Sequence, residues 1–162
     1  MPIPARYVHT NLIARDWRTL SLFYQNLFGC VPVPPERHYE GPDLERGTGV
    51  PGTELHGQHL RLPGYGDDGP TLEIYSYTVS TSSVAPAVNR PGFGHMAFEV
   101  PDVNRAQREL LDAGGTAVGE IVTLRTSAGM SVTWCFCTDP EGNILELQSW
   151  GPKTGEADSA GH

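Results

Sequence analysis

Apolar positions along this chain switch between two periods, and the switch happens twice. Residues 6–13 alternate (Arg-Tyr-Val-His-Thr-Asn-Leu-Ile) and predict a strand. Asp16 is a good N-cap. After it Trp17, Leu20, Phe23, Tyr24, Leu27 and Phe28 recur at helical spacing, and Gly29 is the expected stop. A short strand is predicted over Cys30–Pro34, then a Pro-, Gly- and charge-rich loop over 35–52. Two more strands follow at about 53–62 and 70–77, joined by the turn Pro-Gly-Tyr-Gly-Asp-Asp-Gly.

Residues 78–92 are Ser-rich and polar and read as a linker. The order then repeats. A strand is predicted over Phe93–Val100. A helix from Asp102, ending by Gly115, carries Val103, Ala106, Leu110 and Leu111 on one face. Strands follow at about 116–122 and 130–138, and the turn Asp139-Pro-Glu-Gly-Asn leads into a last strand at 144–150. The expected organisation is one domain over 1–152, with module one at 6–77, the linker at 78–92 and module two at 93–150. Residues 153–162 are expected to form a disordered tail. Each module is a βαβββ unit that cannot cover both faces of its own sheet. Pairing two of them predicts an α+β fold with helices outside and a curved mixed sheet around a central cavity.

Side chains alternate along a strand, so one inward residue fixes the others. If His9 faces the shared interior, Tyr7 and Asn11 join it, and Val8, Thr10 and Leu12 pack under a helix. If Glu73 faces inward, so do Thr71, Tyr75 and Tyr77, leaving Leu72 and Ile74 for the helix. His95 brings Phe93 and Ala97. Glu146 brings Ile144 and Gln148, leaving Leu145 and Leu147 for the core. Tyr7, Asn11, Tyr75, Tyr77, Phe93 and Gln148 are thus the candidate pocket walls.

A length of 162 residues suits one domain with a substantial core. A net charge of −8 argues against a nucleic-acid footprint and an anionic membrane surface. No stretch approaches the roughly 20 apolar residues of a membrane span. Met-Pro-Ile-Pro-Ala-Arg at the start lacks the charged and apolar regions of a secretory leader. Cys30, Cys135 and Cys137 are odd in number, sit in apolar settings and lack zinc-ribbon or redox-pair spacing. They read as reduced core residues, which fits a cytoplasmic protein.

The candidate chemistry lies in the repeat. Each half supplies one His seven residues before its helix-opening Asp (His9, His95) and one Glu between apolar neighbours on its last strand (Glu73, Glu146). A carboxylate buried mid-strand without a partner costs several kcal/mol. Two such carboxylates matched to two histidines point to a cation between them. The donor set suits a borderline divalent ion: Zn, Ni, Co, Mn or Fe. In an octahedral shell four protein ligands leave two positions, which suits a substrate binding through two adjacent oxygens and forming an enediolate. A triad with one carboxylate would leave three, as oxygen-activating iron enzymes need. His38, His56, His59 and His162 read as surface or satisfied core, and Glu99 and Glu120 as solvent-facing.

Four segments carry a resemblance: His9-Thr-Asn-Leu, Phe23-Tyr24-Gln-Asn-Leu-Phe-Gly29, Gly94-His95-Met-Ala-Phe-Glu-Val100 and Asp139-Pro-Glu-Gly-Asn-Ile-Leu-Glu146-Leu. From about Tyr7 to Trp150 the chain resembles the vicinal oxygen chelate superfamily, which includes glyoxalase I, methylmalonyl-CoA epimerase, extradiol dioxygenases and fosfomycin- or bleomycin-resistance proteins. The resemblance implies paired βαβββ modules, often in a homodimer. It also implies a metal set of His9, Glu73, His95 and Glu146, the His/Glu/His/Glu pattern typical of bacterial glyoxalase I. Methylmalonyl-CoA epimerases usually have Gln in place of Glu73. Glyoxalase I typically carries an Arg at the position of Ile13, where it contacts glutathione.

The expected function is a glyoxalase I-like isomerase or lyase, with Glu146, or otherwise Glu73, as the base. Its substrate would be a small molecule such as a thiol conjugate or thioester. Three rivals remain open. One is an acyl-CoA epimerase whose base, such as Glu45 or Glu54, lies outside the ligand set. Another is a protein that only sequesters a small molecule or antibiotic. The last is an iron dioxygenase using three of the ligands.

Overall fold

A computed structural model describes residues 1–151; the expected tail at 153–162 lies outside the described residues. The chain divides into two compact units, Met1–Ser83 and Val84–His162.

In the first unit the order is β1 (His9–Ile13), α1 (Trp17–Phe28), β2 (Val31–Tyr39), α2 (Pro42–Thr48), β3 (Leu55–Arg61) and β4 (Thr71–Tyr77). The sheet order is β1-β4-β3-β2. β1 runs parallel to β4, and the other pairs are antiparallel. Leu72, Ile74 and Leu60 are fully buried with Leu20 and Tyr24 of α1, so the apolar alternation of the strands meets the apolar stripe of the helix. The helix start is fixed to the sheet by Ser76, whose hydroxyl donates to the Ala14 carbonyl (2.8 Å) and accepts the Trp17 N–H (3.1 Å). Asp16 caps the helix through the N–H groups of Arg18 and Thr19, and Gly29 ends it at φ 68°.

In the second unit the order is β5 (Met96–Glu99), α3 (Val103–Asp112), β6 (Thr116–Ala117), β7 (Val122–Arg125), β8 (Ser131–Thr138) and β9 (Ile144–Gly151). The order β5-β9-β8-β6, with β7 also on β8, matches that of the first unit. Val103 and Leu110 of α3 are buried, as are Leu145, Leu147, Cys135 and Cys137 of the sheet. The turn between β8 and β9 is built on the buried Asp139. Its carboxylate accepts the N–H groups of Glu141 and Asn143 (both 2.9 Å) and the Asn143 amide (2.8 Å). All three cysteines are free and buried, as their settings suggested.

The α+β organisation is as expected, with the strands in two mixed sheets, one per unit. Several boundaries differ. β2 runs through the predicted loop to Tyr39, with a register shift between Val33 and Arg37. Pro34 and Pro35 lie in that shift, where a missing N–H costs no ladder bond, and pairing then resumes. The short helix α2 also lies in the predicted loop and buries no side chain. The strand predicted at 116–122 is two short ones, β6 and β7. Leu111, assigned to the apolar helix face, is 39% exposed. β1 and β5 begin at His9 and Met96, so Tyr7, Val8 and Phe93 precede the paired segments and are exposed.

Among the described residues no helix is long and apolar enough to cross a membrane.

Candidate metal centre

The repeat holds at the level of strand register. In the first unit Asn11 lies opposite Glu73 across the parallel β1–β4 pair, with His9 two residues before it. In the second unit Ala97 lies opposite Glu146 across β5–β9, with His95 two residues before it. The same offset gives the same contact. His9 Nε2 is 3.1 Å from Glu73 Oε2, and His95 Nε2 is 2.9 Å from Glu146 Oε2. Both carboxylates are largely covered, at 12% and 19% side-chain exposure. Each therefore needs compensation for lost hydration, and in each unit an imidazole supplies it.

Glu73 has a second imidazole. His59 stands opposite it on β3, and its Nε2 is 2.9 Å from Glu73 Oε1. Asn11 donates its amide to Glu73 Oε2 (3.3 Å), so both carboxylate oxygens are engaged. His59 Nε2 also lies 2.9 Å from the Tyr75 hydroxyl. Gly57 makes room for this: a side-chain carbon there would collide with the Tyr75 ring and the Ile74 carbonyl. Burial holds the His59 pKa below its ordinary value. Glu73 pulls the other way, and Arg37 and His9 add to the lowering. The net result favours the neutral ring, the form that ligates metals. Burial, with Glu73 nearby, pushes the Tyr75 phenol up to about 12.

His59 reads as surface or satisfied core in the sequence; it is half-buried and satisfied by Tyr75 and by Glu73, a partner that reading did not name. A signal for it existed. The predicted strands 53–62 and 70–77 flank a turn centred on Gly66, and His59 and Glu73 are equidistant from Gly66.

In the second unit the residue opposite Glu146 is Phe136, whose ring packs on His95 at 4.8 Å between centroids. Trp134 continues the same face, opposite Gln148. Gln148 accepts the Trp150 indole N–H (3.2 Å). Of the other proposed walls, Tyr75 is buried, Tyr77 is half-buried, and the Tyr7 hydroxyl bonds Thr10. Phe93 is fully exposed and belongs to no strand, so alternation does not apply to it.

His38 and His56 also read as surface or satisfied core in the sequence. They face each other across β2 and β3, and both reach Glu54. Alternation along β3 puts His56 on the sheet face opposite His59 and Glu73. It shares that face with Gln58, which bonds Ser21 of α1.

The donor sets therefore comprise His9, Glu73 and His59 in the first unit and His95 and Glu146 in the second. Imidazole with carboxylate suits a borderline divalent ion. A family model described as the Glyoxalase/Bleomycin resistance protein/Dioxygenase superfamily matches residues 6–147. A search of curated proteins finds no match. Among solved structures, a glyoxalase family protein from Bacillus cereus is similar with a TM-score of 0.78 at 18% identity, covering 93% of this chain and 97% of that one. A glyoxylase/bleomycin resistance protein/dioxygenase domain from Frankia sp. is similar at 0.57 and 17% identity, covering 91% and 98%. A glyoxalase I mutant from Zea mays is similar at 0.57 and 20% identity, and the match covers 88% of this chain but 44% of the maize chain. At these identities the likeness speaks for the fold.

Proposed function

Because the chain belongs to the Glyoxalase/Bleomycin resistance protein/Dioxygenase superfamily, we propose that it is a glyoxalase I-like, metal-dependent isomerase or lyase working by proton transfer. The observation that carries this reading is the repeated pair: one imidazole against one covered carboxylate, at the same register, in each unit. In each unit the His–Glu pair, His9 with Glu73 and His95 with Glu146, would serve as ligands of a divalent ion: Zn, Ni, Co, Mn or Fe. The donor chemistry fits, since an imidazole beside a covered carboxylate is a ligand pair that suits a borderline divalent ion. When bound, such an ion supplies Lewis-acid stabilisation of the negative charge that develops on a substrate's paired oxygens.

The residues then divide the work. Glu73 is fixed on both oxygens by His9, His59 and Asn11, which suits a ligand that stays in place. Glu146 meets the single imidazole of His95 and is better suited to take the proton beside the substrate carbonyl and return it to a neighbouring position. Glu54, the base an acyl-CoA epimerase could use from outside the set, has its carboxylate on the other face of the sheet from Glu73. The substrate is a small molecule with adjacent oxygens, such as a thiol conjugate or thioester. Ile13 supplies no cation for glutathione. A homodimer is the proposed assembly.

The test has two measurements on protein purified without chelator. Metal analysis should give a stoichiometric divalent ion at this centre, and His95→Ala should lose that equivalent. A turnover panel of hemithioacetals from several thiols, run beside racemic acyl-CoA thioesters in D2O, should show isomerisation with solvent deuterium entering a hemithioacetal. A His95→Ala protein with the same metal content as wild type removes the site. Exchange into the thioesters alone replaces the reading with the epimerase. Oxygen-dependent turnover with Fe(II) replaces it with the dioxygenase.

A further inference from the structure

We propose that His38, Glu54 and His56 form a second divalent-cation site, on the opposite face of the first unit's sheet from Glu73. It would take a borderline ion such as Zn2+, Ni2+ or Cu2+. The placement comes from the backbone. Antiparallel pairing sets His38 directly opposite His56, so both imidazoles leave the same sheet face. Glu54 precedes His56 by two residues and shares that face. The rings stack at 4.2 Å with 19° between their planes, which brings their Nε2 atoms together. Each Nε2 lies 3.2 Å from the same oxygen, Glu54 Oε2. The donor atoms of all three residues lie within 4.8 Å of one another.

The backbone that carries Glu54 is held where it stands. The Glu54 N–H donates to Thr78 Oγ1 (2.8 Å), and the Glu54 carbonyl accepts the Thr78 N–H (3.0 Å). Glu40 lies at the edge of the cluster, 4.0 Å from His38 Nε2, and offers a fourth donor. Two imidazoles and a carboxylate favour borderline transition ions over Mg2+ or Ca2+, which prefer all-oxygen shells. The three side chains remain partly open to solvent, so an ion has access and keeps water in its remaining positions.

The site also has a mechanical meaning. His38 ends one arm, and Glu54 and His56 begin the other, of the excursion that carries α2. α2 buries no side chain, so its attachment depends on its base. An ion ligated from both arms closes that base and stabilises the folded excursion by mass action.

The test uses the full, untagged chain and Zn2+ alone. In calorimetric titration, wild type should bind one more equivalent than His38→Gln/His56→Gln. His95→Ala, which alters the centre proposed above, should keep that equivalent. Identical stoichiometry and affinity in wild type and the double variant would overturn the proposal. A second measurement needs no substitution. Zn2+ should shift the ring C–H resonances of His38 and His56 together in NMR spectra and slow tryptic cleavage after Arg46. Unmoved rings with unchanged cleavage would overturn the proposal even if the double variant fails to fold.

Discussion

Glu73 and Glu146 occupy the same place in two copies of one unit, yet their surroundings part at a single cross-strand position. Opposite Glu73 stands His59, and opposite Glu146 stands Phe136. The imidazole adds a polar partner, so Glu73 is gripped on both oxygens. The phenyl ring adds none, and instead packs against His95, the histidine that meets Glu146 among the described residues. A duplicated scaffold can thus repeat a ligand pair while giving its carboxylates different freedom. In the function proposed above, the gripped one anchors and the freer one moves a proton.

The largest expected effect tests that division. Glu146→Gln should lower turnover and solvent deuterium exchange by about 10²–10⁴-fold while leaving much of the metal in place. Glu73→Gln should chiefly lose metal. Metal analysis beside exchange kinetics decides it, and the reverse pattern would make Glu73 the base.

Next in size is the packing under each sheet. Leu20 in α1 and Leu110 in α3 are both fully buried. Either one changed to Ala should cost about 2–5 kcal/mol in urea unfolding. A hydrogen-exchange map should then show protection falling mainly in the unit that carries the change. Uniform loss across both units would mean that they do not fold separately.

His59→Phe makes the first unit resemble the second. Removing a partner that orients a metal-ligating carboxylate should weaken metal affinity about 10–100-fold, with a smaller effect on turnover at saturating metal. Unchanged affinity would leave His59 as packing alone.

The smallest effect concerns the helix caps. Asp16 accepts three hydrogen bonds, from the Thr19 hydroxyl (2.6 Å) and the N–H groups of Thr19 and Arg18, whereas Asp102 accepts the Arg105 N–H. The Thr19 bonds hold the Asp16 pKa below its ordinary 3.8. A lowered folded-state pKa means stability present above that ordinary value and lost as pH falls through the folded one. Asp16→Ala should therefore flatten the acid limb of thermal unfolding below about pH 4 more than Asp102→Ala does. Asp102→Ala should cost about 1 kcal/mol near neutrality.

Most of the fold was legible because its signals are periodic. The alternation in β4 and β9, the stripes of α1 and α3 and the Asp-Pro-Glu-Gly-Asn turn each restrict the backbone locally. The His–Glu pairs were legible because the repeat supplied them twice. His59 was overlooked because only one half carries it, and its meaning depends on pairing across a hairpin. α2 left no apolar period, since none of its side chains is buried, and Gly41 and Gly47 read as loop. β2 continued past two prolines because a register shift accommodates them, a device that strand propensity does not encode.

The buried cysteines bear on durability. Burial pushes the Cys30 thiol up to about 11, and burial beside Cys137 pushes Cys135 up to about 12. At neutral pH the reactive thiolate is then on the order of one part in ten thousand or less for either residue. A protein that handles carbonyl electrophiles would poison itself if it presented a ready nucleophile to them. With all three cysteines buried, none of these thiols is presented for alkylation.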